Sequence, residues 1–207
     1  MRPAFRFAAG ALALGVLLSG AFVLAQTPAA KPAASAPVAK AEAAAKRLAG
    51  TTVIVLRHAE KDPDGNPLDP GLGGAGRKRA AALVRLLARS GATHFFASEY
   101  SRTQETLAPL AAKLGGKVEV VPALEEAKLL ELLHALPPGS VSVVAGHSNT
   151  VPALVQALGG SIEDLEKGPN GSVLSEIDFG RLFVLTLPPH ELADALKTNV
   201  AELSYGD

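Results

Sequence analysis

The feature that most constrains the fold of this 207-residue chain is an alternation of short strand-like runs with amphipathic helical segments. The run Val53–Leu56 has no polar break, which is typical of a strand buried on both faces of a sheet. Similar runs recur at His94–Ala97, Val118–Val121 and Val141–Ala145. Large apolar residues follow each run at helical spacing, so each following segment predicts a helix with one apolar face.

Strands that alternate with helices through short connections predict a mostly parallel sheet covered by helices on both faces. We therefore expect a three-layer α/β/α sandwich. Ser172–Asp178 and Arg181–Leu187 flank Phe179-Gly180 and predict an antiparallel hairpin at a sheet edge. Three glycines stand where helix C-caps are expected, namely Gly91, Gly115 and Gly159.

The first 25 residues have the pattern of an export signal. Arg2 and Arg6 precede an uncharged apolar run over residues 7–25, which ends in small residues ahead of Gln26. We predict that residues 1–25 are a signal peptide, and that the protein is exported, to the periplasm if the host has two membranes. The run is also just long enough to span a bilayer, so the competing prediction is an uncleaved anchor over residues 7–25 in the inner membrane.

Residues 26–50 are dominated by Ala, Pro and Lys, and have too few large apolar residues to form a core. We predict that they form a linker and that residues 51–207 form a single domain. The whole chain has 20 Lys and Arg against 20 Asp and Glu, which argues against a broad basic surface and a nucleic-acid partner.

Composition and spacing also exclude several kinds of chemistry. The chain has no cysteine, so disulfides, thiolate metal ligands and cysteine nucleophiles are excluded. It has no HExxH motif and no other spacing of His and carboxylates typical of a metal site. We therefore predict no catalytic metal and no cofactor.

In sheets of this kind, ligands bind beyond the carboxyl ends of the strands. Polar side chains that can carry chemistry follow all four predicted strands. They are Arg57 and His58, Arg102, Glu125 and Glu126, and His147 and Ser148. Because these positions meet at one edge of the sheet, we expect the side chains to form one site.

The residue types at this edge fit phosphoryl transfer. Two arginines, Arg57 and Arg102, can hold a phosphoryl dianion, since a guanidinium group is permanently charged and binds two oxygens at once. A neutral imidazole can attack phosphorus, and a carboxylic acid can protonate the leaving oxygen. Helices that begin near Arg102 and Ser148 would add backbone N–H donors to the anion site.

Three motifs in the chain resemble the histidine phosphatase superfamily, which has the phosphoglycerate mutase-like fold. They are LRHAEK at Leu56–Lys61, SEYSRTQET at Ser98–Thr106 and GHSN at Gly146–Asn149. The resemblance extends over about Thr51 to Asp207, with Ala59 in the place where the family commonly has glycine.

The resemblance implies a role for each matching residue. His58 would be the nucleophile that forms a phosphohistidine, Arg57 and Arg102 the phosphate clamp, and His147 the second histidine of the pocket. Glu125 would be the general acid, with the adjoining Glu126 as the alternative. The long insertions with which mutases enclose phosphoglycerate have no room here. We therefore expect a metal-independent hydrolase of a small phosphomonoester, or of phosphohistidine.

Two other functions compete with this prediction. Val141–Thr150 (VSVVAGHSNT) resembles the nucleophile elbow of serine hydrolases, in which Ser148 would be the nucleophile. Thr150 replaces the last glycine of that motif, and Arg57 and Arg102 would then have no task. The second alternative is a non-catalytic envelope domain that binds a phosphorylated ligand.

Overall fold

A computed structural model describes residues 40–42, 44–45, 48–189 and 192–206. The predicted signal peptide, residues 1–25, and the first part of the predicted linker lie outside the described residues. Within the described part of the chain, no helix has the length and apolar character needed to cross a bilayer.

Strands and helices alternate from residue 51 to residue 157, as the sequence pattern predicts. In chain order the elements are β1 (Thr51–Arg57), α1 (Gly74–Leu87), β2 (His94–Ala97), α2 (Ser101–Lys113), β3 (Val118–Val120), α3 (Glu126–His134), β4 (Val141–Gly146), α4 (Thr150–Ala157), β5 (Glu166–Gly168), β6 (Gly171–Val173), β7 (Arg181–Leu187) and β8 (Asn199–Ser204).

The main sheet has six strands in the order β3-β2-β4-β1-β7-β8. The pairs β2–β3, β2–β4 and β1–β4 are parallel, whereas β7 runs antiparallel to both β1 and β8. The prediction of a mostly parallel sheet with an antiparallel edge is confirmed.

Helices cover both faces of the sheet because successive residues of a strand point to opposite sides. Ile54 and Leu56 of β1 belong to one buried cluster with Leu83 of α1 and Leu107 of α2. The alternate residues of β1 belong to a second cluster with side chains of α3 and α4. The three layers predicted from the sequence are therefore present.

Glycine ends two of the helices in the predicted way. Gly115 has a φ of 74° and Gly159 a φ of 80°, in the left-handed region that L side chains rarely adopt. The following amide of Gly116 donates to the Ala111 carbonyl at 2.8 Å, which is the Schellman pattern. Gly91 also has a positive φ, of 73°, but lies four residues beyond the end of α1.

The hairpin predicted for Ser172–Asp178 and Arg181–Leu187 is wrong. β6 pairs instead with β5 in a separate two-stranded sheet, and β7 lies inside the main sheet between β1 and β8. The turn at Gly171, where φ is 136°, lets β6 pair with residues just before it in the chain. The edge strand β8 was not predicted, because most of its side chains are exposed and give no apolar signal.

Core packing predicts a large and local stability effect at Leu107, which is fully buried. Leu107→Ala should lower the free energy of unfolding by about 2–5 kcal/mol, since a cavity would remain. Leu124→Ala is the control, because Leu124 is 97% exposed. Urea unfolding should show a change within about 0.5 kcal/mol for the control. Equal effects of the two substitutions would contradict this description of the core.

Candidate active site

The candidate site lies at the carboxyl ends of three adjacent strands, β2, β4 and β1. Arg57 is the last residue of β1, and the His58 amide donates to the Gly146 carbonyl at the end of β4, at 2.9 Å. This bond sets the two strand ends side by side. The rings of His58 and His147 consequently lie 5.4 Å apart between centroids.

A cavity of about 410 Å³ opens over these strand ends. Its lining includes five of the side chains that the sequence assigns to the site, Arg57, His58, Arg102, His147 and Ser148. The structure therefore brings together residues that are up to 91 positions apart in the chain. Lys61, Glu99, Tyr100 and Glu176 also line this cavity.

His58 is held as a neutral ring with a defined tautomer. Its Nδ1 lies 2.7 Å from the carbonyl oxygen of Ala59, and because a carbonyl only accepts, Nδ1 carries the proton. The lone pair of the neutral ring is then on Nε2. Burial lowers the pKa of His58 to about 3, and the charges of Arg57 and Arg102 act in the same direction.

His147 has the opposite tautomer. Arg102 donates from Nη2 to Nδ1 of His147 at 3.4 Å, since a guanidinium group cannot accept. Nε2 therefore donates to the Ser98 hydroxyl at 2.9 Å, and that hydroxyl lies 2.9 Å from the Thr103 hydroxyl. Burial, followed by the charge of Arg102, lowers the pKa of His147 to about 4, against the opposing charge of Glu99.

Arg57 forms the buried floor of the cavity. Its guanidinium group lies 4.2 Å from the Phe179 ring centroid and donates to the Ser175 carbonyl at 2.7 Å. Its Nη2 donates to a carboxylate oxygen of Glu176 at 2.9 Å. The Nε of Arg57 is buried and has no hydrogen-bond partner among the described residues.

Arg102 is held in a similar way from the other side. Its guanidinium group lies 4.4 Å from the Tyr100 ring centroid, and its Nη1 lies 3.9 Å from a carboxylate oxygen of Asp69. Its Nε, too, is buried without a partner in the described part of the chain. A buried N–H donor without a partner is costly, so two of them on cations that line one cavity indicate an anion site.

The predicted general acids do not join this cluster. Glu125 does not line the cavity; its carboxylate is about half exposed and pairs with Lys128 at 3.2 Å. Glu126 lines a smaller, mostly apolar cavity next to it. The carboxylates on the cavity wall are instead Glu99 and Glu176. The assignment of Glu125 as the general acid stays a prediction.

Ser148 has a different partner from the one that a serine hydrolase requires. Its hydroxyl donates to Glu176 at 2.9 Å, and His147 directs its two ring nitrogens to Ser98 and Arg102. The described residues therefore do not form a Ser–His pair at Ser148. His190, the only histidine downstream, lies outside the described residues.

Sequence reasoning missed Thr106, which connects the two halves of the site. Its buried hydroxyl donates to the Arg102 carbonyl at 2.7 Å and accepts the Ala59 amide at 2.9 Å. The contact spans 47 positions, so no local pattern could reveal it. Glu60, next to Ala59, forms hydrogen bonds of 2.8–3.1 Å with Arg79 and anchors the same loop.

Residues 53–135 match the family model of the histidine phosphatase superfamily, branch 1. The matched segment contains Arg57, His58 and Arg102. His147 lies outside the segment but lines the same cavity. Over this segment, the chain is similar to the histidine phosphatase superfamily. The family match and the phosphatase structures of the same fold together support a phosphatase. A comparison with curated proteins finds no match.

Solved structures of phosphatases share the fold. A candidate phosphohistidine phosphatase SixA from Nakamurella multipartitia is 25% identical, with 74% of this chain and 95% of that chain covered and a TM-score of 0.51. The protein histidine phosphatase SixA in complex with tungstate is 17% identical, with 74% and 96% covered and a TM-score of 0.54. A mycobacterial glucosyl-3-phosphoglycerate phosphatase is 16% identical, with 74% and 98% covered and a TM-score of 0.53. These likenesses confirm the predicted phosphoglycerate mutase-like fold.

The lowered histidine pKa values predict that this phosphatase loses stability in mild acid. In the unfolded chain, the two histidines bind protons below about pH 6.5. In the folded protein, His58 binds a proton only near pH 3 and His147 only near pH 4, because their pKa values are lowered. Stability is therefore full above pH 6.5 and falls as the pH is lowered. Between pH 7 and pH 5, each of the two histidines should remove about 2 kcal/mol from the free energy of unfolding.

Between pH 7 and pH 5, the free energy of unfolding should therefore fall by about 2 kcal/mol less in His58→Asn than in the unmodified protein. Urea unfolding at the two pH values measures this difference. The exposed His134→Asn is the matched control. A pH dependence that is identical in His58→Asn and in the unmodified protein would show that His58 is not held neutral.

Proposed function

We propose that this phosphatase hydrolyses phosphomonoesters, or a phosphohistidine, through a phosphohistidine intermediate on His58. The observation that carries the proposal is the neutral imidazole of His58. Its Nδ1 proton is held by the Ala59 carbonyl, and it lines a cavity with two guanidinium groups, each with a buried N–H that has no partner among the described residues. This arrangement leaves a nucleophilic nitrogen beside a site built for an anion.

In the first step, Arg57 and Arg102 bind the oxygens of the phosphoryl group, which reduces its repulsion of an incoming lone pair. Nε2 of His58 attacks phosphorus, an N–P bond forms, and the bond from phosphorus to the leaving oxygen breaks. The leaving oxygen takes its proton from the general acid, for which Glu125 is the prediction, and that acid becomes a carboxylate. The proton of His58 remains on Nδ1 and stays hydrogen-bonded to the Ala59 carbonyl, which stabilises the positive charge that the ring acquires.

In the second step, a water molecule attacks the phosphorus of the intermediate. The water gives a proton to the carboxylate that acted as the general acid, the N–P bond breaks, and inorganic phosphate and neutral His58 are released. His147 accepts a hydrogen bond from Arg102 and so holds that guanidinium group at the phosphoryl site. The N-terminus of α4 and the Ser148 hydroxyl lie on the same cavity wall and supply further hydrogen-bond donors to the phosphoryl oxygens.

Two features of the relatives support an oxyanion substrate. One SixA structure holds tungstate, a tetrahedral oxyanion, and the SixA from Nakamurella multipartitia is a candidate phosphohistidine phosphatase. The paired guanidinium groups of this chain suit such an anion. We therefore retain phosphohistidine beside simple phosphomonoesters as the substrate class, and we place the activity outside the cytoplasmic membrane on the pattern of residues 1–25.

Removal of the nucleophile should abolish turnover without loss of the fold. His58→Ala should lower kcat/KM for p-nitrophenyl phosphate by about 10³-fold or more, since the attacking imidazole is removed. His134→Ala, on the exposed end of α3, should retain full activity. Circular dichroism of each variant checks the fold. An unmodified protein that binds inorganic phosphate but releases none from any ester would instead be a non-catalytic binding domain.

The general acid can be identified by leaving-group chemistry. Loss of the acid should slow the hydrolysis of an alkyl phosphate far more than that of p-nitrophenyl phosphate, because nitrophenolate leaves without a proton. We predict this selective loss for Glu125→Gln. The same comparison of kcat/KM for Glu126→Gln and Glu99→Gln provides the controls. Selective loss in either of those variants alone would transfer the role to that residue.

A further inference from the structure

Glu176 occupies an unusual place in the cavity. One of its carboxylate oxygens accepts from Nη2 of Arg57 at 2.9 Å, and the other accepts from the Ser148 hydroxyl at 2.9 Å. The Arg57 side chain is only 3% exposed, whereas that of Glu176 is 70% exposed. The carboxylate therefore stands between the buried cationic floor and the solvent entrance. The part of a substrate that lies beyond its phosphoryl group would therefore lie near this carboxylate.

The charge balance of the cavity changes sign when a phosphoryl group binds. Arg57, Arg102 and Lys61 supply three positive charges to the lining, and Glu99 and Glu176 supply two negative charges. The two imidazoles are neutral because burial lowers their pKa values. The free cavity thus has one positive charge in excess, and a bound phosphoryl dianion turns this into one negative charge in excess.

Once a phosphoryl group has engaged the two arginines, the charged side chains left to contact the rest of the substrate are Lys61, Glu99 and Glu176. Glu176 is fixed by two hydrogen bonds, one of them to buried Arg57. Glu99 is also held, since its carboxylate accepts the Ala123 amide at 2.8 Å. Lys61 is exposed, and no hydrogen bond or ion pair holds its ammonium group among the described contacts. The fixed charges near the entrance are consequently negative.

Resting on the phosphatase function proposed above, we propose that Glu176 sets the charge selectivity of the site. It favours phosphorylated substrates with a cationic group, such as an amine, close to the phosphate. It disfavours substrates with a second anionic group, such as a carboxylate, at that position. The substrate class is then an amino-substituted phosphate ester rather than a phosphorylated acid.

Three phosphate esters of similar length test this selectivity. Ethanolamine phosphate has an ammonium group, propyl phosphate is neutral beyond the phosphate, and phosphoglycolate has a carboxylate. The measurement is kcat/KM for each ester with the unmodified protein, Glu176→Gln and Glu166→Gln. Glu166 is an exposed residue of β5 outside the cavity, so its substitution removes the same charge without altering the site.

The unmodified protein should hydrolyse the three esters in the order ethanolamine phosphate, propyl phosphate, phosphoglycolate. Glu176→Gln should reduce the ratio of kcat/KM for the first and the last by roughly tenfold, since one nearby charge of each interaction is lost. Glu166→Gln should leave the ratio unchanged. Added salt should shrink the ratio of the unmodified protein toward that of Glu176→Gln, because ions screen an exposed carboxylate.

Two outcomes would overturn the charge selectivity: a wild-type ratio near one, or the same ratio in Glu176→Gln as in the unmodified protein. Hydrolysis of p-nitrophenyl phosphate, tested in the same preparations with His58→Ala as the blank, separates this failure from a failure of the proposed function. If that ester is hydrolysed and the ratio does not respond, only the role of Glu176 is wrong. If no ester is hydrolysed, the proposed phosphatase function itself fails.

Discussion

Positive charge concentrated at the carboxyl ends of three adjacent strands is the constraint on which the rest of this site depends. Burial of a guanidinium group is costly unless contacts compensate its charge and its donors. The Phe179 ring, the Ser175 carbonyl and Glu176 provide these contacts for Arg57, and Tyr100 does so for Arg102, while the Nε of each has no partner among the described residues. The loops around the site therefore take positions in which they can contact the two arginines. The same charges, together with burial, keep both imidazoles neutral and so preserve a nucleophile.

The loop that follows β1 is held just as firmly, and this fixes the orientation of His58. Thr106 binds the Ala59 amide, and the Glu60 carbonyl accepts the Gly73 amide at 3.0 Å. A Cβ at Gly76 would collide with that same carbonyl, so helix α1 can approach the loop only where glycine stands. The Ala59 carbonyl is thereby aimed at Nδ1 of His58. A single tautomer results from packing between α1, α2 and the end of β1.

The sequence predicted the parts of the fold that depend on local periodicity. The four parallel strands, the four helices and the placement of Arg57, His58, Arg102 and His147 at one sheet edge follow from apolar spacing and strand direction. The partner of β6 and the edge strand β8 could not be predicted, because a short polar strand has no apolar signature and its pairing is decided by the turn beside it. Glu176 was missed because its contact with Arg57 joins positions 119 apart and no motif surrounds it. Glu125 was assigned from its separation from Arg102 along the chain, which does not determine where its side chain points.

The central claim is that His58 becomes covalently phosphorylated during turnover. The most direct measurement is rapid mixing with p-nitrophenyl phosphate, quenching in alkali, and mapping of the phosphorylated residue by mass spectrometry. Alkali preserves the N–P bond of a phosphohistidine, whereas acid cleaves it. The account predicts one phosphoryl group on His58, lost on acid treatment and absent from His58→Ala. An acid-stable phosphate ester on Ser148, or turnover without any phosphorylated His58, would contradict it.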